Sequence, residues 1–282
     1  MQFYDMKEVD LKLTLLSGGD IELGNLKISP YTLREIKDYG YTKYMSNIQW
    51  ISLSVDDFIN STFDDRKRKI LELSRDNLKA FDFYIKLGGK EMQDKLVDAL
   101  KMVFKNDDLV VLNDNIVAID FIKLGIVTLD NKGDIVDVND EKLGKLSEDE
   151  IKIIHRDNFD DIIKIVKLQN YLEQPNEVAE EALVADEEAK KLLEHMKKMR
   201  KKVEEKRKQQ SDDEEEIDIS DIISAVSSKS HSINKFNIWD FTIYQLYDEY
   251  ARLELIDNYD FSIKAMMAGA KDIDLKHWSS KL

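Results

Sequence analysis

Apolar residues recur three and four positions apart through most of this sequence, which is the spacing of one face of an α-helix. The spacing is sustained across residues 55–104, where a Gly-Gly pair indicates a helix end, and it returns in DNFDDIIKIVKLQNYL before Pro175. After Pro30 the sequence predicts two short helices separated at Gly40. With 10 glycines and only 2 prolines among 282 residues, few positions interrupt these helices. We therefore expect a mainly helical protein.

Short stretches depart from this spacing and predict small β-elements. Residues 9–28 read VDLKLTLL, SGGD and IELGNLKI, an alternation of apolar and polar residues on both sides of a glycine turn that predicts a strand pair. β-branched runs predict a second β-element in residues 109–140, with a turn at DNKGD. The predicted fold class is α+β, mainly helical, with an N-terminal module that carries the small β-elements, a long charged helix and a C-terminal aromatic helical hairpin.

The long charged helix is predicted over residues 176–210. Its apolar positions alternate steps of four and three, which is a heptad pattern. These positions are Val178, Ala182, Ala185, Ala189, Leu192, Met196, Met199 and Val203. Because the seam is mostly alanine and methionine, we expect the helix to lie along another surface, such as its own domain, or to pair weakly. A capping box at Ser147 and Glu150 precedes the helix predicted in DNFDDIIKIVKLQNYL. That helix ends before Pro175, so the N-terminal module is assigned residues 1–175.

Two oppositely charged runs follow the heptad pattern. The basic run KKMRKKVEEKRKQQ is followed by the acidic run SDDEEEIDISD, which predicts a solvated helix end and an acidic, serine-rich linker over 211–233. The alternative is an electrostatic contact with a partner, and such binding would be sensitive to salt. The linker ends in the short apolar helix and serine-rich joint of ISDIISAVSSKSHSI. The hairpin is assigned residues 234–282, with Asn237 as the N-cap of its first helix and NYDFSIKAMMAGA as its second.

Composition narrows the classes of partner. The chain has 57 acidic and 42 basic residues and a net charge of −15, which disfavours binding to nucleic acid and to anionic membranes. Cysteine is absent, as suits a reducing compartment. No window approaches eighteen apolar residues, and MQFYDMKEVD lacks the pattern of a signal peptide. We expect two modules in an intracellular protein of the host cytoplasm, with the virion as the alternative location.

Residue types that enzymes use are present, but not in catalytic arrangements. The four histidines are far apart, none has the spacing of metal ligands, and KLGGKEM lacks the spacing of a phosphate loop. DNKGDIVDVND resembles a calcium loop but has glycine at its fourth position instead of its sixth, so a hairpin turn is the favoured interpretation. We predict no catalytic residue, no cofactor and no metal site.

Six aromatic rings fall within residues 236–250 of the stretch NKFNIWDFTIYQLYDEY. Stacking on nucleic-acid bases is disfavoured, because the acidic residues of this stretch outnumber its basic ones. The rings are predicted to form the core of the small hairpin, which needs large side chains, and to leave the remainder as a docking face for another protein or another copy. The predicted partner-binding residues are Trp239, Ile243, Tyr244, Leu246, Tyr247 and Tyr250.

Two stretches carry a resemblance to a known group of proteins. DISDIISAVSSKSHSINKFNIWDFTIYQLYDEYARLE, with DFSIKAMMAGAKDIDLKHWSSKL after it, resembles the ends of proteins encoded in the tail-morphogenesis region of tailed phages that infect Gram-positive bacteria. LKISPYTLREIKDYGYTKYMSNI is similar to their short strand, proline and TL-x-E-I helix. The matching positions are Pro30, Thr32, Ile36, Trp239, Thr242, Tyr244, Gln245, Leu246 and Tyr247. The resemblance implies a tail assembly chaperone, or a minor tail or baseplate component.

The predicted function is that of a non-enzymatic, chaperone-like phage tail assembly factor. Its expected partners are phage tail proteins, with the tape measure protein as one candidate, and a homo-oligomer is a further expectation. The aromatic hairpin would cover apolar surface on a tail protein until the tube polymerises around it. The alternative is a structural minor tail, baseplate or other virion subunit, and an enzyme with an unrecognised site is the third interpretation.

Overall fold

The computed structural model describes residues 1–112, 115–130, 133–146, 151–176, 217–271, 273 and 275–281. The chain forms two compact units. The first comprises Met1–Met6, Gly19–Pro30 and Glu35–Lys167, and the second comprises Lys7–Gly18, Tyr31–Arg34 and Leu168–Leu282. The predicted heptad helix, the basic run after it and the predicted capping box at 147–150 lie outside the described residues. The module boundaries assigned at residues 175, 210 and 233 stay predictions.

Helices dominate the described residues and small antiparallel sheets accompany them, so the predicted class, α+β and mainly helical, is confirmed. The helices are α1 (Glu8–Leu16), α2 (Leu33–Tyr39), α3 (Tyr41–Ile51), α4 (Val55–Ser61), α5 (Asp65–Leu73), α6 (Ala80–Asp82), α7 (Gly89–Val103), α8 (Asp140–Leu143), α9 (Phe159–Gln169), α10 (Ile219–Lys229) and α11 (Ile243–Met267). The strands are β1 (Ile21–Leu23), β2 (Leu26–Ile28), β3 (Leu109–Leu112), β4 (Ile116–Ile119), β5 (Val127–Leu129), β6 (Ile135–Val138) and β7 (Ile154–His155). A π-helix spans Phe83–Leu87.

The strand pair predicted over residues 9–28 is wrong in its first half, where α1 forms instead. The sequence VDLKLTLL fits both periods, because its alternating apolar residues include Leu11 and Leu15, which are four apart. The helix buries these two leucines and leaves Val9 and Leu13 exposed. Only β1 and β2 form the hairpin, and Gly24 has the positive φ of 61° that its tight turn requires.

The second predicted β-element is confirmed as strands of the first unit. β3, β4 and β7 form a three-stranded antiparallel sheet, with Leu109 opposite Ile119 and Leu112 opposite Ile116. β5 pairs with β6 as a separate hairpin around the DNKGD sequence. The β-branched runs thus form strands because their side chains pack well on a pleated surface.

The core of the first unit contains a cluster of aromatic rings around the π-helix. Tyr84 is fully buried and meets Phe58 and Phe159 edge-on, with ring centroids 5.0 and 5.8 Å away. Phe58 also stacks on Phe83 at 4.8 Å. The Tyr84 hydroxyl donates to the carbonyl oxygen of Trp50, and burial raises the pKa of Tyr84. The cluster therefore ties α3, α4 and α9 to the π-helix.

The second unit is built from α1, α10 and α11, with shorter segments between them. α10 packs on α11, and Lys229 forms an ion pair with Asp257. The Gln245 side chain of α11 donates from Nε2 to the carbonyl oxygen of Leu16, at the end of α1, over 2.8 Å. Contacts distant in sequence thus assemble this unit.

The two helices predicted inside residues 234–282 are one helix, because α11 runs unbroken from Ile243 to Met267. No glycine or proline lies within it to interrupt its hydrogen bonds. The helical pair is therefore α10 with α11. Asn237 is the N-cap of a 3-10 helix, Ile238–Asp240, whereas the N-cap of α11 is Thr242. The Asn237 side chain donates to the carbonyl oxygen of Ser232 at 2.9 Å.

Candidate functional site

The six residues predicted to bind a partner do not form one exposed face. Three are buried: Ile243, Tyr244 and Leu246. The others are partly exposed: Trp239, Tyr247 and Tyr250. The three buried residues belong to the core of the second unit. The binding role assigned to the six residues stays a prediction.

The start of α11 is fixed by a capping box and by a short backbone pairing. Thr242 Oγ1 accepts from the Gln245 amide at 3.2 Å, and Gln245 Oε1 accepts from the Thr242 amide at 2.8 Å. The Leu33 amide donates to the carbonyl oxygen of Phe241 at 2.7 Å, and Thr32 forms a β-bridge with Thr242. The two stretches that carry the resemblance are therefore in contact within the second unit.

A tyrosine cluster packs beside this start. The Tyr171 ring centroid lies 5.4 Å from those of Tyr244 and Tyr247, and the Tyr171 and Tyr247 rings are stacked. Burial raises the pKa of Tyr244 to about 12, and the Asp248 carboxylate adds to the rise. Burial also raises the pKa of Asp248, with a partial offset from Arg252. Ring packing and burial thus hold Tyr244 in the core of the second unit, while Tyr171 and Tyr247 stay partly exposed.

Large apolar side chains outside the predicted set are exposed at both ends of α11. Phe236, before the helix, is 90 % exposed, Phe261 is 74 % exposed, and Met267 is the exposed last residue of the helix. The sequence interpretation left them out of its predicted set because apolar spacing alone does not separate a core position from a surface position. They offer a partner the contact area that the buried Tyr244 does not.

The first unit contains an apolar cavity of 670 Å³. Ligand-binding sites have volumes of about 300–1,000 Å³, so the cavity is large enough for several apolar groups. Helices α3, α4, α5 and the π-helix supply most of the lining. The apolar walls include Trp50, Phe58, Ile70, Leu71, Phe83 and Leu87.

Asp57 and Trp50 are two lining residues with polar groups, and they differ in their hydrogen bonds. Asp57 completes the capping box of α4, whose N-cap is Ser54: its carboxylate accepts from the amide and the hydroxyl of Ser54 at 2.8 and 2.7 Å. Trp50 Nε1 is buried and has no hydrogen-bond partner among the described residues. The Lys95 ammonium lies 5.2 Å from the Trp50 ring centroid. The Trp50 ring thus contributes apolar surface to the lining, and its Nε1 donor is enclosed by the protein.

Helix α5 forms a wall of the cavity and has no buried residue. Lys67, Ile70 and Leu71 line the cavity from one face, at positions i, i+3 and i+4. Ile70 is 63 % exposed, and Leu73, one turn further, is 89 % exposed. The sequence interpretation took residues 55–104 as helical core and missed this surface. The signal was the run RKRK, which leaves this nine-residue helix few apolar residues to bury.

The C-terminal part of the chain is similar to a known domain. Residues 206–282 match the family model of the YomV second domain. The match includes α10 and α11 and leaves residues 1–205 outside it. It indicates a phage-related protein and carries nothing specific to tails. No curated protein and no solved structure matches the chain.

Two further observations apply to the part of the chain that the structure describes. None of its helices is both long and apolar enough to cross a membrane. Within the same residues, no three His, Cys, Asp or Glu side chains are grouped as metal ligands.

Proposed function

We propose that this chain is a non-enzymatic assembly factor of a tailed phage, and that its second unit binds tail proteins during morphogenesis. The observation that carries the proposal is the exposed apolar surface at the ends of α11, at Phe236, Phe261 and Met267, within the region that matches the phage-derived domain. Such side chains gain free energy when a partner removes them from water.

The proposed mechanism is shielding. The exposed rings cover apolar surface on a tail protein, with the tape measure protein as the candidate, until the tube polymerises around it. Burying two rings contributes roughly 3–6 kcal/mol before the cost of association is subtracted. A contact of this strength can be exchanged for contacts within the tail, and it requires no reaction.

The first test is peptide mass spectrometry on purified virions beside a lysate of infected cells. We expect peptides of this chain in the lysate and none in the particle, because an assembly factor leaves the finished structure. Abundant peptides in the particle would replace the proposal with that of a structural tail or baseplate subunit.

The second test locates the contact. Phe236→Ser combined with Phe261→Ser should weaken co-purification with co-expressed tail proteins at least tenfold and leave the melting temperature unchanged, since both rings are exposed. The matched control is Ile135→Ser combined with Val136→Ser, two exposed apolar residues of β6 in the first unit. Equal binding by both double variants would show that α11 does not carry the contact.

A further inference from the structure

We propose that the C-terminal domain carries a binding site for an amphipathic helix along the first turns of α11, and that α1 of the same chain fills this site. The family match begins at residue 206, so α1 lies outside it. We call the surface the α1 site and define it by Thr242, Gln245, Asp248 and Lys281. It includes none of the exposed residues at the ends of α11, so it is independent of the function proposed above.

Polar contacts at two levels place α1 antiparallel to α11. At the C-terminal end of α1, the carbonyl oxygen of Leu16 accepts from Gln245 Nε2 at 2.8 Å. About one turn away on both helices, burial raises the pKa of Asp248, and the nearby cations of Arg252 and Lys12 partly offset this rise. The contacts thus move toward the N-terminus of α1 as they move toward the C-terminus of α11.

The C-terminal tail closes the other end of the α1 site. Arg252 of α11 donates to the carbonyl oxygens of Trp278 and Ser280, both at 2.9 Å. Further along the tail, the Lys281 ammonium forms an ion pair with Glu8, the first residue of α1, at 2.8 Å. This pair is partly exposed and contributes little affinity, but it favours an acidic residue at this end of the occupant.

The apolar contact lies between these two ends. α1 packs on α11 and buries Leu11 and Leu15, each only 3 % exposed. These leucines are four residues apart and share the face of Lys12. The opposite face of α1 leaves Val9 and Leu13 in water. The α1 site therefore takes an amphipathic helix with apolar residues at i and i+4.

A close approach at the end of α1 restricts what can follow the helix. Gly18 has a φ of 67°, and a Cβ there would lie 3.4 Å from both Gln245 Nε2 and Thr242 Cγ2. Glycine adopts this backbone conformation without strain and commonly follows the last turn of a helix. The occupant therefore ends in a glycine, with a terminal carbonyl group turned to Gln245.

Gln245 couples the occupant to the fold of α11. Its Oε1 accepts from the Thr242 amide and closes the capping box, while its Nε2 holds the carbonyl oxygen of Leu16. α1 in turn needs the site, because isolated helices below about 12–15 residues are marginal in water and α1 has 9 residues. We therefore expect the start of α11 to lose stability when α1 leaves.

The first test asks whether α1 fills the site within one chain in solution. The chain has no cysteine, so Lys12→Cys with Asp248→Cys introduces two thiols and no others. A short bismaleimide should link them within one chain at least tenfold faster than in the control, Leu13→Cys with Asp248→Cys, because Leu13 is on the exposed face of α1. Equal rates would overturn the proposal. A product of twice the chain mass would also overturn it, since α1 would then fill the site of a second copy.

The second test measures whether α11 depends on its occupant. Leu11→Ser with Leu15→Ser removes the buried face of α1, and the control, Val9→Ser with Leu13→Ser, changes its exposed face. In hydrogen exchange of the full chain, the amides in the first turns of α11 should exchange at least tenfold faster in the first variant and within twofold of the wild type in the control. Unchanged exchange of α11 in the first variant would show that the domain is complete without α1.

A synthetic peptide of residues 7–18 separates a binding site from a fixed part of the core. It is added to the variant with Leu11→Ser and Leu15→Ser at about 1 mM, the order of the effective concentration of a tethered segment. The peptide should slow the exchange of α11 at least threefold, and the same peptide with both leucines replaced by serine should not. No slowing by the unmodified peptide, or equal slowing by both peptides, would overturn the proposal.

Discussion

Helices α11 and α5 carry apolar residues at the same helical spacing, but only α11 buries them. Ile243, Tyr244 and Leu246 are buried at the start of α11, whereas α5 has no buried residue and its Leu73 is almost fully exposed. Apolar spacing therefore indicates a face that gains from leaving water. It does not say whether the covering surface belongs to the same chain.

Contacts distant in sequence account for the burial in α11. Thr242, its N-cap, forms a β-bridge with Thr32, and this pairing brings a second backbone segment against the start of the helix. Helix α5 is held by polar contacts to its neighbours, such as that of Arg68 with Asn60 at 3.3 Å. Polar contacts fix the position of α5 and leave its apolar face uncovered.

The largest effect is expected for Leu246→Ala. Leu246 is fully buried, so the substitution should lower the free energy of unfolding by about 2–5 kcal/mol, measured by urea denaturation. The matched control is Leu73→Ala in α5, which should change it by less than about 0.5 kcal/mol. Similar losses in the two variants would remove the difference between the helices.

Loss of the N-cap should have the next largest effect. Thr242→Ala removes the hydroxyl that accepts from the Gln245 amide, and it should cost about 1 kcal/mol of stability. Thr242→Ser keeps that acceptor and serves as the control in the same urea titration. If alanine and serine were equally stable, the burial of α11 would not depend on its cap.

A pH-dependent effect should follow from Asp248 of α11. Burial raises the pKa of its carboxyl above the ordinary value of 3.8, so the folded chain holds this proton more tightly than the unfolded chain. The resulting stability is fully present below the ordinary pKa and is lost as pH rises through the raised pKa. Asp248→Asn carries no such proton, so it should gain stability relative to the wild type between about pH 3.5 and pH 7.

Urea denaturation at those two pH values measures the gain. Asp260→Asn, at an exposed position of the same helix, is the matched control and should show a smaller change. A flat difference between Asp248→Asn and the wild type across this range would mean that the carboxyl is equally solvated when folded and unfolded.

The sequence predicted the class of the fold and several of its elements. The breaks at Gly40 and at the Gly-Gly pair, and the strands β3 to β6, follow from local preferences, which a short segment carries within itself. The stretch VDLKLTLL supports two periods, and the choice of α1 comes from the burial of Leu11 and Leu15. The local sequence of this segment alone does not decide between helix and strand, because contacts with the rest of the fold make the choice.

The candidate sites were harder to predict from the sequence than the fold class, because they also depend on contacts between distant segments. Within the aromatic run, the division into a buried Tyr244 and an exposed Phe236 depends on segments far away in the chain. The cavity of the first unit combines residues of α3, α4, α5 and the π-helix, and none of these stretches carries a motif. The sequence signal that could have located this region is the run RKRK of α5.

The smallest effect on folding is expected for Ile70→Ser combined with Leu73→Ser. Both side chains are largely in water, so the free energy of unfolding should change by less than about 0.5 kcal/mol in urea denaturation. A loss above about 1 kcal/mol would show that α5 packs on its own chain in solution, as α11 does, and the contrast between the two helices would fail.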